Sequence, residues 1–300
     1  MASETTDIGP FPRDFLRRLQ VLRLVSRRLH TGRFAALTRS RKIGTGIDFA
    51  DHRPYSPGDD FKNIDWTLYG RLDQLMIRLA EEETELNIYL LVDASPSMRF
   101  GEPSKADHAQ KVACALAYIG LSHLDRVHLF PFGSDLLRPL TPPRNAAQVV
   151  QVWKHLQKAE GVGESSLARA AKAFVSVART RGIVLVLSDF LMDDWRAGLD
   201  ILRSARFEVG MVQVTAPQEV SAPEGAVRRE VQLTDAETGQ RRRVRLTPAL
   251  ARRYREMVAM HGEELAAYGR QYRVFHAYAP TDQPFEELIL RTFRSQRLLA

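Results

Sequence analysis

From residue 86 onward, short apolar runs alternate with stretches of helical periodicity. Residues 88–92, Ile-Tyr-Leu-Leu-Val, form a continuous apolar run of the length expected for a strand buried on both faces. Val127–Phe132, Ile183–Leu187 and Glu208–Val214 read the same way, and Tyr272–Tyr278 reads as a last strand. Between them the spacing predicts helices at 104–124, 145–157, Ser166–Thr180 and 195–206. The first carries Ala109, Val112, Ala113, Leu116, Ala117 and Ile119 on or near one face. Repeated strand–helix units predict an α/β fold: a doubly wound, mainly parallel sheet with helices on both faces. After a tight turn at Gly133-Ser134-Asp135, Leu136–Leu140 is expected to return as an antiparallel edge strand.

The alternation breaks late in the chain. Ala226–Leu233 and Arg241–Leu246, joined by the turn Asp235-Ala236-Glu237-Thr238-Gly239, predict a β-hairpin whose arginines suit an exposed edge. A long helix follows at about 248–269, with Pro248 in its first turn, and Phe285–Leu298 reads as a closing helix. At the other end, Phe15, Leu19, Leu22 and Leu29 lie at helical spacing within residues 12–40. The chain thus divides into a basic N-terminal helical arm (1–43), a block at 44–85, and an α/β domain at 86–300 with a hairpin inserted at about 226–246. Within the block, Pro57-Gly58 marks a turn and Leu75–Leu79 alternates like a strand. An aspartate there is expected to cap a short helix and Trp66 to fill core.

Composition changes this picture little; charge distribution changes it more. The net charge of the 300 residues is +7, but residues 12–42 hold ten Lys/Arg against Asp14 alone, so that segment is +9 and the remainder about −2. The basicity belongs to the arm. It either lies in solvent on a packed helix or meets an anionic surface. Nucleic acid is not expected, because no recognised binding motif accompanies the charge. The single cysteine, Cys114, excludes an intrachain disulfide and a thiolate cluster. No apolar run reaches the length of a membrane span, and the acidic start is unlike a secretory signal, so a cytoplasmic protein is expected.

The candidate chemistry sits where strands end. Asp93, Ser95 and Ser97 follow the strand at 88–92, at the edge where open α/β sheets carry ligand sites. One carboxylate and two hydroxyls offer hard oxygen donors of the kind Mg²⁺ or Mn²⁺ prefers. The strand at 183–187 also ends in an aspartate, Asp189. The glycine-containing loop Gly161–Leu167 enters a helix and offers further hydroxyls, although Ser166 also reads as a helix N-cap.

Asp93-x-Ser95-x-Ser97 resembles the first element of the metal-ion-dependent adhesion site of von Willebrand factor A domains. The resemblance implies that Ser165 and Asp189 complete the metal set. His52–Asp60, Ile64-Asp65-Trp66 and Asp235–Gly239 resemble signatures of the domain-of-unknown-function 58 family over roughly residues 40–280. Serine at 165 replaces the usual threonine, and Glu164 replaces a second glycine. Serine keeps the hydroxyl; Glu164 adds a carboxylate near the ion or obstructs a partner's.

The resemblance implies a von Willebrand factor A-like fold and a non-enzymatic module whose metal accepts an acidic side chain of another protein. It also implies a partner, a MoxR-type AAA+ ATPase on a separate chain, with this protein as its adaptor. Two alternatives stay open. Asp93 could serve a metal-dependent phosphoester hydrolase, although such enzymes usually carry a second aspartate where Ser95 stands. The arm alone could bind an anionic surface.

Overall fold

The computed structural model describes residues 11–22, 24, 49–56, 61, 64–80, 86–220, 230–296, 298 and 299. In chain order the first elements are helix α1 (Arg13–Gln20), strand β1 (Phe49–Pro54), helix α2 (Trp66–Leu72) and strand β2 (Met76–Ala80). Then follow β3 (Asn87–Asp93), α3 (Lys105–Ser122), β4 (Arg126–Phe132), α4 (Val149–Gln157), α5 (Leu167–Val177) and β5 (Ile183–Ser188). The chain continues through α6 (Trp195–Ser204), β6 (Glu208–Thr215), β7 (Glu230–Thr234), β8 (Arg241–Arg245), α7 (Pro248–Tyr272) and β9 (Phe275–Pro280), and a helical segment closes it at Phe285–Phe293.

Residues 27–85 form one compact unit; residues 1–26 and 86–300 form the other. In the smaller unit β1 and β2 pair antiparallel, with His52 opposite Arg78 and Pro54 opposite Met76. Asp65 caps α2, its Oδ1 accepting from Thr67 N at 3.0 Å and Leu68 N at 3.1 Å. The expected cap is therefore present. Trp66 is not core: it is 62% exposed, its ring edge-on to Tyr69. As the first residue of a seven-residue helix with no buried side chain, it has no core to enter. Asp59 and Asp60 lie outside the described residues.

The larger unit is built on a five-stranded parallel sheet of order β4-β3-β5-β6-β9. Every residue of β3 from Ile88 to Asp93 and every residue of β5 is buried, as the continuous apolar runs require. Alternation along the strands sends side chains to two separate cores. Ile88, Leu90 and Val92 pack with Ala109, Val112 and Leu116 of α3, with Val149 and Val152 of α4, and with Phe293. Tyr89 and Leu91 pack on the other face with Leu167 and Phe174 of α5, Trp195 and Leu199 of α6, and Leu265 and Tyr268 of α7. This is the doubly wound α/β architecture read from the sequence, late hairpin included: β7 and β8 pair antiparallel from Glu230–Arg245 to Thr234–Arg241. Among the described residues no helix is long and apolar enough to cross a membrane.

Three further expectations need correction. The N-terminal helix stops at Gln20, and Leu24 pairs with Leu299 instead of continuing it. Phe11, Phe15, Leu19, Leu22 and Leu24 are all buried, so the chain bends after α1 to keep its apolar positions in the core. Residues 25–48, the remainder of the expected helix and arm, lie outside the described residues. Leu136–Leu140 makes only isolated antiparallel bridges to β4, at Phe132–Leu136 and Leu129–Leu140. Pro131 faces this segment, its carbonyl accepting from Leu137 N, but it has no N–H to return to a ladder there. The last strand is Phe275–Pro280, because α7 runs on to Tyr272 and Arg273 ends it in the left-handed region at φ 56°.

Candidate functional site

Within this unit the strand order is that of a doubly wound sheet whose direction of growth reverses between β3 and β5. Such a reversal opens a crevice at the C-terminal ends of the two strands. Val92 pairs with Leu187, so Asp93 and Ser188 leave the sheet side by side and Asp189 follows. The sequence-predicted carboxylates are therefore neighbours. Ser188 Oγ donates to Asp93 Oδ2 at 2.6 Å, and Ser95 N donates to Asp93 Oδ1 at 3.0 Å. Asp93 is almost wholly buried, and burial, reinforced by the charge of Asp189, pushes its carboxyl up to about 6.

The turn after β3 places Ser95 Oγ 3.0 Å from Ser97 Oγ. The Ser165 loop reaches them through backbone close approach. Gly161 N donates to Ala94 O at 2.8 Å, Ala94 N to Phe132 O at 2.8 Å, and Ser166 N to Gly133 O at 3.0 Å. A Cβ on Gly161 would stand 2.9 Å from Ala94 O and 3.1 Å from Gly133 Cα, so glycine is required for three loops to meet. Ser166 is the N-cap of α5, its Oγ accepting from Arg169 N at 3.2 Å. Of the two serines, Ser165 is thus the one left to face the crevice, and Glu164 beside it is exposed.

Asp189 is fixed on both oxygens. Leu191 N donates to Oδ1 at 3.0 Å, and Lys105 Nζ donates to Oδ2 at 2.6 Å. The next residue, Phe190, has φ 58°, held by its buried ring and by its N–H donating to Ser188 Oγ at 3.0 Å. Lys105 also bonds Glu219, and it is completely buried. Burial opposes its charge, but Asp189 and Glu219 outweigh that and hold the ammonium protonated.

A cleft of about 720 Å³ opens over these groups. Ser97, Ser165 and Asp189 line it with Glu164, Asp193, Asp194, Asp235 and Glu237, against Arg169 as the basic lining residue. The local excess of carboxylates favours a cation. Asp194 has a structural role, since it accepts from Leu167 N at 3.0 Å, Ala168 N at 3.2 Å and Ser166 Oγ at the start of α5. Glu237 comes from the hairpin turn: its Oε1 accepts from both Ser97 Oγ and Ser165 Oγ, each at 3.1 Å.

The donors are three serine hydroxyls and two aspartates, all hard oxygens, and they suit Mg²⁺ or Mn²⁺ by chemistry. Among the described residues no three His, Cys, Asp or Glu side chains gather closely enough to hold a metal by themselves. A metal here would depend on the hydroxyls.

Sequence reasoning missed three participants. Lys105 and Glu219 gave no signal, since a lysine opening a helix and a glutamate in a four-residue turn are ordinary. Glu237 lay in a turn already singled out, but nothing local ties residue 237 to residues 97 and 165.

Comparison with known proteins places the chain more firmly. Uncharacterized protein Rv1480 of Mycobacterium tuberculosis and uncharacterized protein Mb1516 of Mycobacterium bovis are each 29% identical to it over 231 residues, 74% of this chain and 71% of theirs. Among solved structures, conserved hypothetical protein BatB from Bacteroides thetaiotaomicron is 13% identical with a TM-score of 0.39, covering 70% of this chain and 98% of its own. Manganese-loaded Plasmodium vivax TRAP protein is 17% identical with a TM-score of 0.32, covering 43% and 56%. The fold class rests on strand order and connections, not on these likenesses. The family described as Protein of unknown function DUF58 matches residues 51–264, most of the length of the chain, and to that family the chain belongs.

Proposed function

We propose that this protein is a non-enzymatic interaction module that grips an acidic side chain of a partner through a divalent cation, Mg²⁺ or Mn²⁺. Ser95, Ser97 and Ser165 would hold the ion through their hydroxyls, with Asp93 and Asp189 behind them, acting through water. A cation bound by neutral hydroxyls stays strongly electrophilic and supplies a position for a carboxylate. The chain's own groups do the rest. Asp93 orients the Ser95–Ser97 turn through the Ser95 N–H, and Lys105 fixes the direction of Asp189. Two apolar side chains of the site loops, Val162 and Leu191, stand 72% and 56% exposed, available to a protein surface.

The observation that carries the reading is the meeting of Ser97 Oγ and Ser165 Oγ at one carboxylate oxygen. Hydroxyls from two separate loops already converge on the chemical group a partner would offer. The family resemblance adds a candidate partner, a MoxR-type AAA+ ATPase on a separate chain, with this protein as an adaptor in an assembly or chaperone system.

The test is co-purification of the full chain with a MoxR-type ATPase from the same genome, in Mg²⁺ and in EDTA, for wild type and Asp93→Ala. Capture by wild type in Mg²⁺ alone is expected. Equal recovery in all four arms would refute the cation-dependent grip.

A further inference from the structure

Glu237 stands at the tip of a hairpin, yet its carboxylate lies among the hydroxyls of the cleft. Oε1 accepts from Ser97 Oγ and Ser165 Oγ at 3.1 Å each, and Oε2 accepts from Ser165 N at 3.1 Å. The turn that presents it is preformed. Asp235 Oδ1 accepts from Glu237 N at 2.9 Å and from Thr238 N at 2.8 Å, and Gly239 closes the turn at φ 71°. Strands β7 and β8 are otherwise largely in solvent, with Leu233 56% exposed. Among the described residues, the hydrogen bonds joining residues 230–245 to the rest of the fold are the three on Glu237. A lone two-stranded ribbon is marginal by itself, so what holds this one down is the contact at its tip.

We propose that Glu237 is the site's own resident ligand: a tethered carboxylate in the position that a partner's acidic side chain would take. The hairpin is then a latch, and a partner gains the site only by displacing its tip. This rests on the reading of the cleft as a cation-dependent carboxylate receptor. The tether gives Glu237 a high effective concentration. A partner's apparent affinity is therefore reduced by the fraction of time the latch is open. Any event that lifts the hairpin frees Ser97 and Ser165 together.

Mn²⁺ alone is a sufficient probe, added to the full chain as wild type, Glu237→Ala, Glu237→Gln and Asp93→Ala. Residue 237 lies in an exposed turn, so the sheet and its two cores are untouched by the first two changes. In Glu237→Ala, water-proton relaxation per bound Mn²⁺ should rise, because water enters where the carboxylate was; in Glu237→Gln, whose amide oxygen is a weaker ligand, it should rise less. Mn²⁺ affinity should fall about tenfold or more, the loss seen when even an outer partner of a metal is removed. Amide hydrogen exchange across 230–245 should slow on adding Mn²⁺ to wild type and stay fast in Glu237→Ala. Equal relaxation and equal exchange in wild type and Glu237→Ala, with Mn²⁺ bound by both, overturn the latch and leave the metal site standing. No Mn²⁺ binding by wild type, or binding unchanged in Asp93→Ala, overturns the metal reading and the latch with it.

Discussion

Lys105 Nζ lies 2.6 Å from Asp189 Oδ2, with the lysine completely buried and the aspartate 5% exposed. The second carboxylate of the site is thus not free; it shares a fixed internal cation with Glu219. That arrangement neutralises part of the charge that would otherwise repel Asp93. It also sets a positive group beside the place where a metal would bind.

Lys105→Met should therefore act in two directions. Removing one partner of a buried ion pair typically destabilises by about 3–5 kcal/mol, because Asp189 and Glu219 lose their ammonium. Mn²⁺ should meanwhile bind more tightly, since a fixed positive charge has gone. Denaturant unfolding and calorimetric titration read the two effects separately. A variant more stable than wild type would mean that the buried pair is a net cost.

Asp93→Asn addresses the metal through stability. A ligand that binds only the folded state at 100 times its Kd adds about 2.7 kcal/mol. Wild type should show a rise in Tm with Mn²⁺ and the variant none. Asparagine keeps an acceptor for Ser95 N, so the fold should survive. Equal shifts in the two proteins would remove Asp93 from the metal set.

Gly161→Ala tests loop convergence without touching a donor. The added methyl would stand 2.9 Å from Ala94 O and 3.1 Å from Gly133 Cα. Overpacking of this kind costs about 1–3 kcal/mol. The loop should shift and carry Ser165 away from Ser97, weakening Mn²⁺ binding. Gly163 is the contrast, for its φ is 69° but the nearest neighbour to a Cβ is 3.9 Å away. Asparagine, which tolerates that backbone region, should be accepted at 163 with Mn²⁺ binding intact. Wild-type binding by Gly161→Ala would show that the close approach is not what aligns the loops.

His108 gives a pH dependence away from the metal set. Burial, with a smaller contribution from Lys111, pulls its pKa down to about 4, Asp107 and Asp282 opposing, and its Nε2 has no hydrogen-bond partner among the described residues. The folded state therefore refuses a proton that the unfolded chain accepts from pH 6.5 downward. Stability should be unaffected by this group above pH 6.5 and should fall as pH drops from 6.5 towards 4, by about 3 kcal/mol in all. His108→Leu should lose that fall, so its stability relative to wild type should rise as pH drops through this range. Asp93, with its raised carboxyl, acts in the opposite sense over the same range, so the readout is the difference between the two proteins; parallel wild-type and His108→Leu curves between pH 6.5 and 4.5 would show that His108 takes up its proton in the folded state.

What the chain alone determined is whatever depends on neighbours in sequence. Apolar runs at Ile88–Val92 and Ile183–Leu187 fixed buried parallel strands, because a strand covered on both faces has no polar position to offer. The turn residues Asp235 and Gly239 fixed a hairpin, and Asp65 fixed a helix start. The positions of Asp93, Ser95, Ser97 and Asp189 at strand ends were legible for the same reason, whereas Ser165 was picked out by the family resemblance.

Tertiary structure decided everything that joins residues far apart. It decided that α1 ends at Gln20, since only the packed core reveals that Leu22 and Leu24 need another direction. It left Trp66 in solvent, because a short helix with no buried face cannot bury its first residue. It brought Lys105 to Asp189 and Glu237 to Ser97, across 84 and 140 residues. A lysine or a glutamate has the same local pattern whether it ends in water or in a cleft. Only the fold's own geometry selects between these.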